Sequence, residues 1–150
     1  MSKKLSLAVI SVLGLLLFLT DRGLKYFFLH SPHHFELGGD YLKLELATNP
    51  GIAFSLPVNL SWLIFLTVVI LLVLVYFLIK FWQQQKIWPV LGLELVVVGA
   101  FSNLLDRLYQ GQVIDYLSVK YFTVFNLADV MICIGVAILL INSFFKSKPK

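Results

Sequence analysis

Four long apolar stretches, two of the joins between them carrying strand-like segments, set the pattern of this chain. The first runs from about Leu5 to Thr20 and continues past Asp21 to about Leu29. The second runs from about Leu60 to Trp82, without a charge between Ser61 and Ile79. The third, from about Ile87 to Leu105, is interrupted by Glu94 alone, and the fourth runs from about Ala128 to Phe145. Each is close to the roughly 20 residues a helix needs to cross about 30 Å of hydrocarbon. Backbone groups in lipid must bond internally, and runs this long without alternation suit helices rather than barrel strands. Between them, the segment from about His30 to Val58 alternates through Tyr41-Leu42-Lys43-Leu44-Glu45-Leu46, a strand signal, followed by the turn signal Asn49-Pro50-Gly51. The segment from about Tyr109 to Val124 contains Gly111, then Val113 to Tyr116 and Val119 to Val124, both rich in β-branched and aromatic residues. The pattern predicts four helices with short strands lying on the membrane surface. With no internal repeat, low-complexity tract or linker, residues 1–150 read as a single integral-membrane domain.

Composition strengthens the membrane reading. Of the 150 residues 59% are hydrophobic and 13% charged, and the mean hydropathy is +0.90. No soluble domain of this size buries so much apolar surface. Charge then orients the helices. Lys3 and Lys4 precede the first stretch, Lys80 and Lys86 flank the turn between the second and third, and Lys146, Lys148 and Lys150 follow the fourth; no acid accompanies them. The positive-inside rule puts both termini and the middle turn in the cytoplasm. The fold expected is an all-α membrane protein of four transmembrane helices, N-in and C-in, with a small extracytoplasmic β-rich cap. Seven of the eight acids, all but Glu94, fall on or near that outer face. The net charge of +4 is therefore a topology signal and does not point to a nucleic-acid partner. The two N-terminal lysines and the apolar run after them mimic a signal peptide, but no small-x-small cleavage pattern follows, so the segment reads as a retained helix. The single cysteine, Cys133, cannot form an internal disulfide and reads as inert packing.

Several polar groups stand where hydrocarbon should exclude them. Asp115, in Val113-Ile114-Asp115-Tyr116, and Asp129, in Phe125-Asn126-Leu127-Ala128-Asp129, lie at the edge of a strongly apolar segment. An ionisable residue at membrane depth is a functional-site hypothesis by default. Two carboxylates that meet across a short connection suggest a dyad sharing one proton, the arrangement that activates water in aspartic proteases. The structural alternative is that both are solvated at the interface, or that Asp129 or Asn126 caps the fourth helix. Asp21 and Lys25, four apart, form either an interfacial ion pair with a snorkelling lysine or a brace for an outer-surface site. Asn49, with Gly51 behind it, either makes an ordinary turn or offers its amide as a donor to a backbone or a substrate peptide, the small residues leaving room. Asn103, Asp106 and Arg107 share a helical face, and Gly99 and Ser102 read as close-packing positions. Asp106 and Arg107 make either a helix-end pair or a site in which the planar guanidinium orients a carboxylate or a peptide carbonyl. His30, His33 and His34 with Glu36 read as a solvated loop in preference to a metal site. Glu94 reads as a snorkelling group or a hydrogen-bond partner of a neighbouring helix in preference to a proton relay.

Taken together, these residues resemble the bacterial lipoprotein signal peptidase (signal peptidase II) family, four-helix aspartic proteases of the cytoplasmic membrane. The likeness spans essentially the whole chain. Asp21 to Lys25 is similar to the family's helix-one motif, Asn49-Pro50-Gly51-Ile52-Ala53-Phe54 to its Asn-x-Gly-x-x-Phe, and Asn103 to Arg107 to its Asn-x-x-Asp-Arg. Val113 to Tyr116 is similar to its Val-x-Asp-aromatic and Phe125 to Asp129 to its Phe-Asn-x-Ala-Asp, all five in the family's order. Val98 and Ser102 stand where the family usually has glycine, and Leu24 where a small hydroxyl is common. The resemblance implies that Asp115 and Asp129 are the catalytic dyad. It implies that Asn49, Gly51, Asn103, Arg107 and Asn126 hold substrate backbone or the aspartates, with Asp21, Lys25 and Asp106 in support. It implies cleavage of diacylglyceryl-modified prolipoproteins just before the lipidated cysteine, at the extracytoplasmic face of the bacterial inner membrane among its lipids. Inhibition by globomycin-type cyclic peptides follows as well, and no metal or cofactor is required. The rival readings are a small four-helix transporter or channel subunit using the acids as ion ligands, and a non-catalytic scaffold.

Overall fold

The computed structural model describes residues 2–31, 34–37, 41–51 and 59–146. His33, Ile52, Ala53, Phe54, Lys148 and Lys150 lie outside the described residues. The order of elements is α1 (Lys3–His30), β1 (Phe35–Leu37), β2 (Leu42–Asn49), α2 (Leu60–Gln83), α3 (Ile87–Gln110), β3 (Val113–Val119), β4 (Val124–Phe125) and α4 (Leu127–Lys146). All four helices are long and apolar enough to cross a membrane.

Local chemistry sets the helix ends. Ser2 caps α1 by accepting the Leu5 N–H, and Asn59 caps α2 by accepting those of Ser61 and Trp62. α3 runs on to Gln110, past the apolar stretch that ends near Leu105, and so carries Asp106 and Arg107 on its last turns. It stops at Gly111, whose φ of 72° is the left-handed conformation that terminates helices and that glycine adopts without steric cost.

α3 is the central helix: 61% of its spanning window is buried, against 11–17% for the other three. α2 is the most apolar of the four and buries only Leu71, so most of its surface is left to lipid. α3 and α4 approach closely because glycines face each other. A Cβ on Gly135 would lie 2.5 Å from the Gly92 carbonyl oxygen, and one on Gly99 2.5 Å from that of Ala128. Glu94 points at Gly14 of α1, where a Cβ would meet its carboxylate, and it accepts a 3.4 Å hydrogen bond from Ser11. The expected interhelical bond is there.

The two segments predicted to carry strands join in one antiparallel sheet of order β1-β2-β3-β4. The second segment differs from its sequence pattern: Val119 ends β3, and the run to Val124 is mostly a turn, with Tyr121 at φ 66°, before the two residues of β4. An irregularity in β2 between Leu44 and Ala47 shifts the register, so that Ala47 lies opposite Asp115 and Asn49 opposite Val113. Sheet register therefore brings Asn49 and Asp115 to the same end of the sheet.

Candidate active site

Asp115 and Asp129 line one cavity of about 480 Å³, walled elsewhere by apolar side chains of β4 and α4 and reached also by Asn49, Asn103 and Arg107. That volume is in the range of small-molecule and peptide sites. Asp115 projects from β3 and accepts a 2.7 Å bond from Asn126 Nδ2. Burial, and then the nearby charge of Asp129, push its carboxyl up to about 6.

Asp129 sits in the first turn of α4. Asn126 Oδ1 accepts the Asp129 N–H at 2.9 Å, while Asp129 Oδ2 accepts the Asn126 N–H at 3.2 Å, a reciprocal capping box. The capping reading is thus realised by both residues at once. It does not exhaust Asp129, because Oδ1 accepts a 2.8 Å bond from Asn103 Nδ2. Asn126 is the common joint: its amide reaches Asp115, Asn103 Oδ1 and the Ile114 carbonyl.

Behind the cavity lies a buried ionic cluster. Asp21, Lys25, Ser102 and Asp106 are all 0% exposed, so the snorkelling expected of Lys25 does not occur. Its ammonium reaches Asp21 Oδ2 at 3.1 Å, Asp106 Oδ2 at 2.7 Å and Asn103 Oδ1 at 2.7 Å, using all three of its donors. The reason is arithmetic: two buried carboxylates need two cations. Arg22, which the sequence reading passed over, supplies the second, donating to Asp106 Oδ1 at 2.5 Å and to the Ser102 carbonyl and hydroxyl. The signal was available as a basic residue inside an apolar helix, but no spacing rule connects Arg22 to Asp106. Ser102, where glycine is usual, donates a 2.6 Å bond to Asp21 Oδ2, and so does more than permit close packing. Val98 joins the apolar cluster around Leu95, Ala128 and Met131.

Asp106 and Arg107 do not pair with each other. Asp106 faces α1 and accepts the Ile114 N–H at 3.3 Å, which ties the start of β3 to α3. Arg107 faces the cavity, donates to the Gly51 carbonyl at 3.3 Å, and leaves a buried Nε without a partner among the described residues. Asn49 makes the turn that was one of its two readings, its Oδ1 accepting the Gly51 N–H at 3.0 Å, a bond that leaves the amide nitrogen as a donor. Tyr116, read as a strand residue and as the aromatic of the Val113 to Tyr116 motif, carries a buried hydroxyl bonded to Asp21 and to the Leu127 N–H. Burial, and then the charge of Asp21, push that hydroxyl above its ordinary range, so it remains a donor. Cys133, expected as inert packing, is exposed and lines the cavity. His30 bonds the Tyr26 carbonyl and stacks on the Tyr26 ring, and among the described residues no three histidine, cysteine or acidic side chains gather to hold a metal.

The chain shares this arrangement of helices with known proteins. A bacterial membrane enzyme solved by the in meso method superposes with a TM-score of 0.86 at 26% identity, over 95% of this chain and 93% of that one. The lipoprotein signal peptidase of Bartonella henselae is 40% identical over 144 residues, covering 87% of this chain and 86% of its own. That of Wolinella succinogenes is 35% identical over 95% of this chain and 99% of its own, whereas the chain spans 58% of the length of the Rhodococcus jostii relative. The family model described as signal peptidase (SPase) II matches residues 13–145, a stretch that takes in every one of the polar residues around this cavity. A multi-pass membrane protein with that fold, that match and those relatives belongs to the signal peptidase II family.

Proposed function

We propose that this chain is a single-domain membrane aspartic endopeptidase that removes signal peptides from diacylglyceryl-modified prolipoproteins. It cuts on the N-terminal side of the lipidated cysteine, with Asp115 and Asp129 as the dyad. The observation that carries the reading is that two carboxylates from different elements converge on one cavity, each held by its own asparagine, with Asp115 raised to about 6. Asp115 therefore keeps its proton up to about pH 6, and a substrate that expels water from the cavity extends that range.

In the reaction, the charged carboxylate takes a proton from water as its oxygen attacks the scissile carbonyl, while the protonated one hydrogen-bonds the carbonyl oxygen. The protonated carboxyl gives its proton to that oxygen to form a neutral diol. The diol then collapses: the C–N bond breaks, the amine leaves with the proton taken from water, a diol hydroxyl returns its proton to the other carboxylate, and one carboxylate is again charged. Arg107, whose Nε has no partner among the described residues, and Asn49 are placed to hold substrate backbone beside the dyad. Gly51, Asn103 and Asn126 keep these groups in place, and Asp21, Lys25 and Asp106 support them from behind. The lysines at both termini and at the α2–α3 turn favour an N-in, C-in orientation in the bacterial inner membrane. The cavity and sheet then lie at the extracytoplasmic face, where a lipid-anchored substrate enters sideways with its acyl chains still in the bilayer. Globomycin-type cyclic peptides would occupy the same cavity.

A transporter reading finds no support. Asp21, Asp106, Asp115 and Asp129 collect in one connected cluster, and Glu94 is held apart by Ser11 and Gly14. The test is a gel assay of a lipidated prolipoprotein with and without globomycin, using purified protein and its Asp115→Asn and Asp129→Asn variants. Each variant should lose cleavage while still folding. Activity retained by either folded variant refutes the dyad.

A further inference from the structure

Tyr116 follows Asp115 directly on β3, so the two side chains leave opposite faces of the strand. Asp115 turns to the cavity, and Tyr116 turns to α1, its ring stacked on Phe28 with centroids 5.5 Å apart and 7° between planes. The ring is 1% exposed, a setting in which phenylalanine would pack as well, and a hydroxyl there must find partners. It finds two, donating to Asp21 Oδ1 at 2.9 Å and accepting the Leu127 N–H at 3.0 Å.

Those bonds complete the start of α4. The first N–H groups of a helix have no partner within it. Here Leu127 gives its N–H to Tyr116, Ala128 to Asp21 Oδ1 at 3.2 Å, and Asp129 to Asn126 Oδ1 at 2.9 Å. Two of the three acceptors come from other elements. The helix end that carries Asp129 is thus fastened to the strand that carries Asp115 through the residue next to Asp115. Resting on the dyad reading above, we infer that the Tyr116 hydroxyl is a positioning group that sets the spacing of the two aspartates.

The charged groups acting on Asp115 are Asp129 from α4, Asp106 and Arg107 from α3, and Lys25 from α1, while β2 sets Ala47 opposite it. None is removed by Tyr116→Phe, which keeps the ring stack and deletes only the oxygen. A second variant deletes the other half of the bond: Leu127→Pro removes the N–H at the first helical position, where proline is accommodated.

The experiment measures kcat and KM against pH for full-length protein in bilayer discs, using a lipidated prolipoprotein, for the wild type, both variants and Asp115→Asn. A misplacement of about 1 Å costs up to about a hundredfold in rate, so kcat in Tyr116→Phe should fall about ten- to a hundredfold with KM nearly unchanged. The alkaline limb of the profile should move to lower pH, because the charge of a more distant Asp129 raises the Asp115 carboxyl less. Leu127→Pro should reproduce both changes, and it carries the test alone if Tyr116→Phe does not fold. An unmoved profile in a folded variant overturns the inference, even with a lower melting temperature, since losing a merely structural bond leaves the pair's titration alone. If Asp115→Asn retains activity, the dyad itself falls. If it is inactive while both variants keep the wild-type profile, only the positioning role falls.

Discussion

Replacing Lys25 by methionine should be among the most damaging single changes in this chain, although Lys25 does not reach the cavity. The side chain is 0% exposed, and its three donors serve Asp21, Asp106 and Asn103 at 3.1, 2.7 and 2.7 Å. Methionine fills nearly the same volume, so packing is conserved and the electrostatic loss is isolated. Two buried carboxylates are then left with Arg22 as their cation. An orphaned buried acceptor costs about 1–3 kcal/mol, and breaking a buried ion pair from one side costs about 3–5 kcal/mol. We expect Lys25→Met to lose about 3–5 kcal/mol, near the upper figure because two acids share the lysine. The assay is reversible unfolding in mixed micelles followed by tryptophan fluorescence. Lys43→Met serves as control, because the Lys43–Glu36 pair at 3.3 Å is open to solvent on both sides, Lys43 in part and Glu36 more so, and such pairs are worth less than about 1 kcal/mol. Adding Asp106→Asn to Lys25→Met should recover part of the loss by restoring charge balance. If Lys25→Met costs no more than the control, the cluster does not hold the helices together and the reasoning fails.

Two further outcomes follow from the same geometry. Asp115 is raised from its ordinary 3.8 to about 6, so the folded protein binds its proton more tightly than the unfolded chain does. Its contribution to stability is therefore present below about pH 4 and is lost as pH rises through about 6; unfolding measured across that window should show a slope that Asp115→Asn removes. Gly135→Ala forces α3 and α4 apart at the point where a Cβ would lie 2.5 Å from Gly92 O, and overpacking of this kind costs about 1–3 kcal/mol. A melting temperature equal to the wild type's would show that the two helices separate there without strain.

Much of the architecture was legible along the chain, because the bilayer demands long apolar runs and the lysines mark their ends. The four helices lie where the hydropathy places them, to within about five residues, and the strands fall in the two segments with strand signals. The candidate site was legible for a related reason: polar groups at membrane depth have no solvent to justify them, so Asp21, Lys25, Asn103, Asp106, Arg107, Asp115, Asn126 and Asp129 stand out. Their partnerships were not legible. Local spacing finds bonds between residues three or four apart, such as Asp21 with Lys25 or Asn126 with Asp129. Arg22 with Asp106, Ser102 with Asp21 and Tyr116 with Leu127 join different elements, and no periodicity relates them. Asp106 and Arg107 are neighbours that part company, one facing α1 and the other the cavity, because α3 is packed on several sides at once. Sequence alone thus determined that this is a four-helix membrane protein and which of its polar residues stand against hydrocarbon with no solvent to justify them. The tertiary structure decided which carboxylates are neutralised by buried cations and which are left to meet in the cavity, since charge compensation in a low-dielectric interior depends on distances that only packing sets.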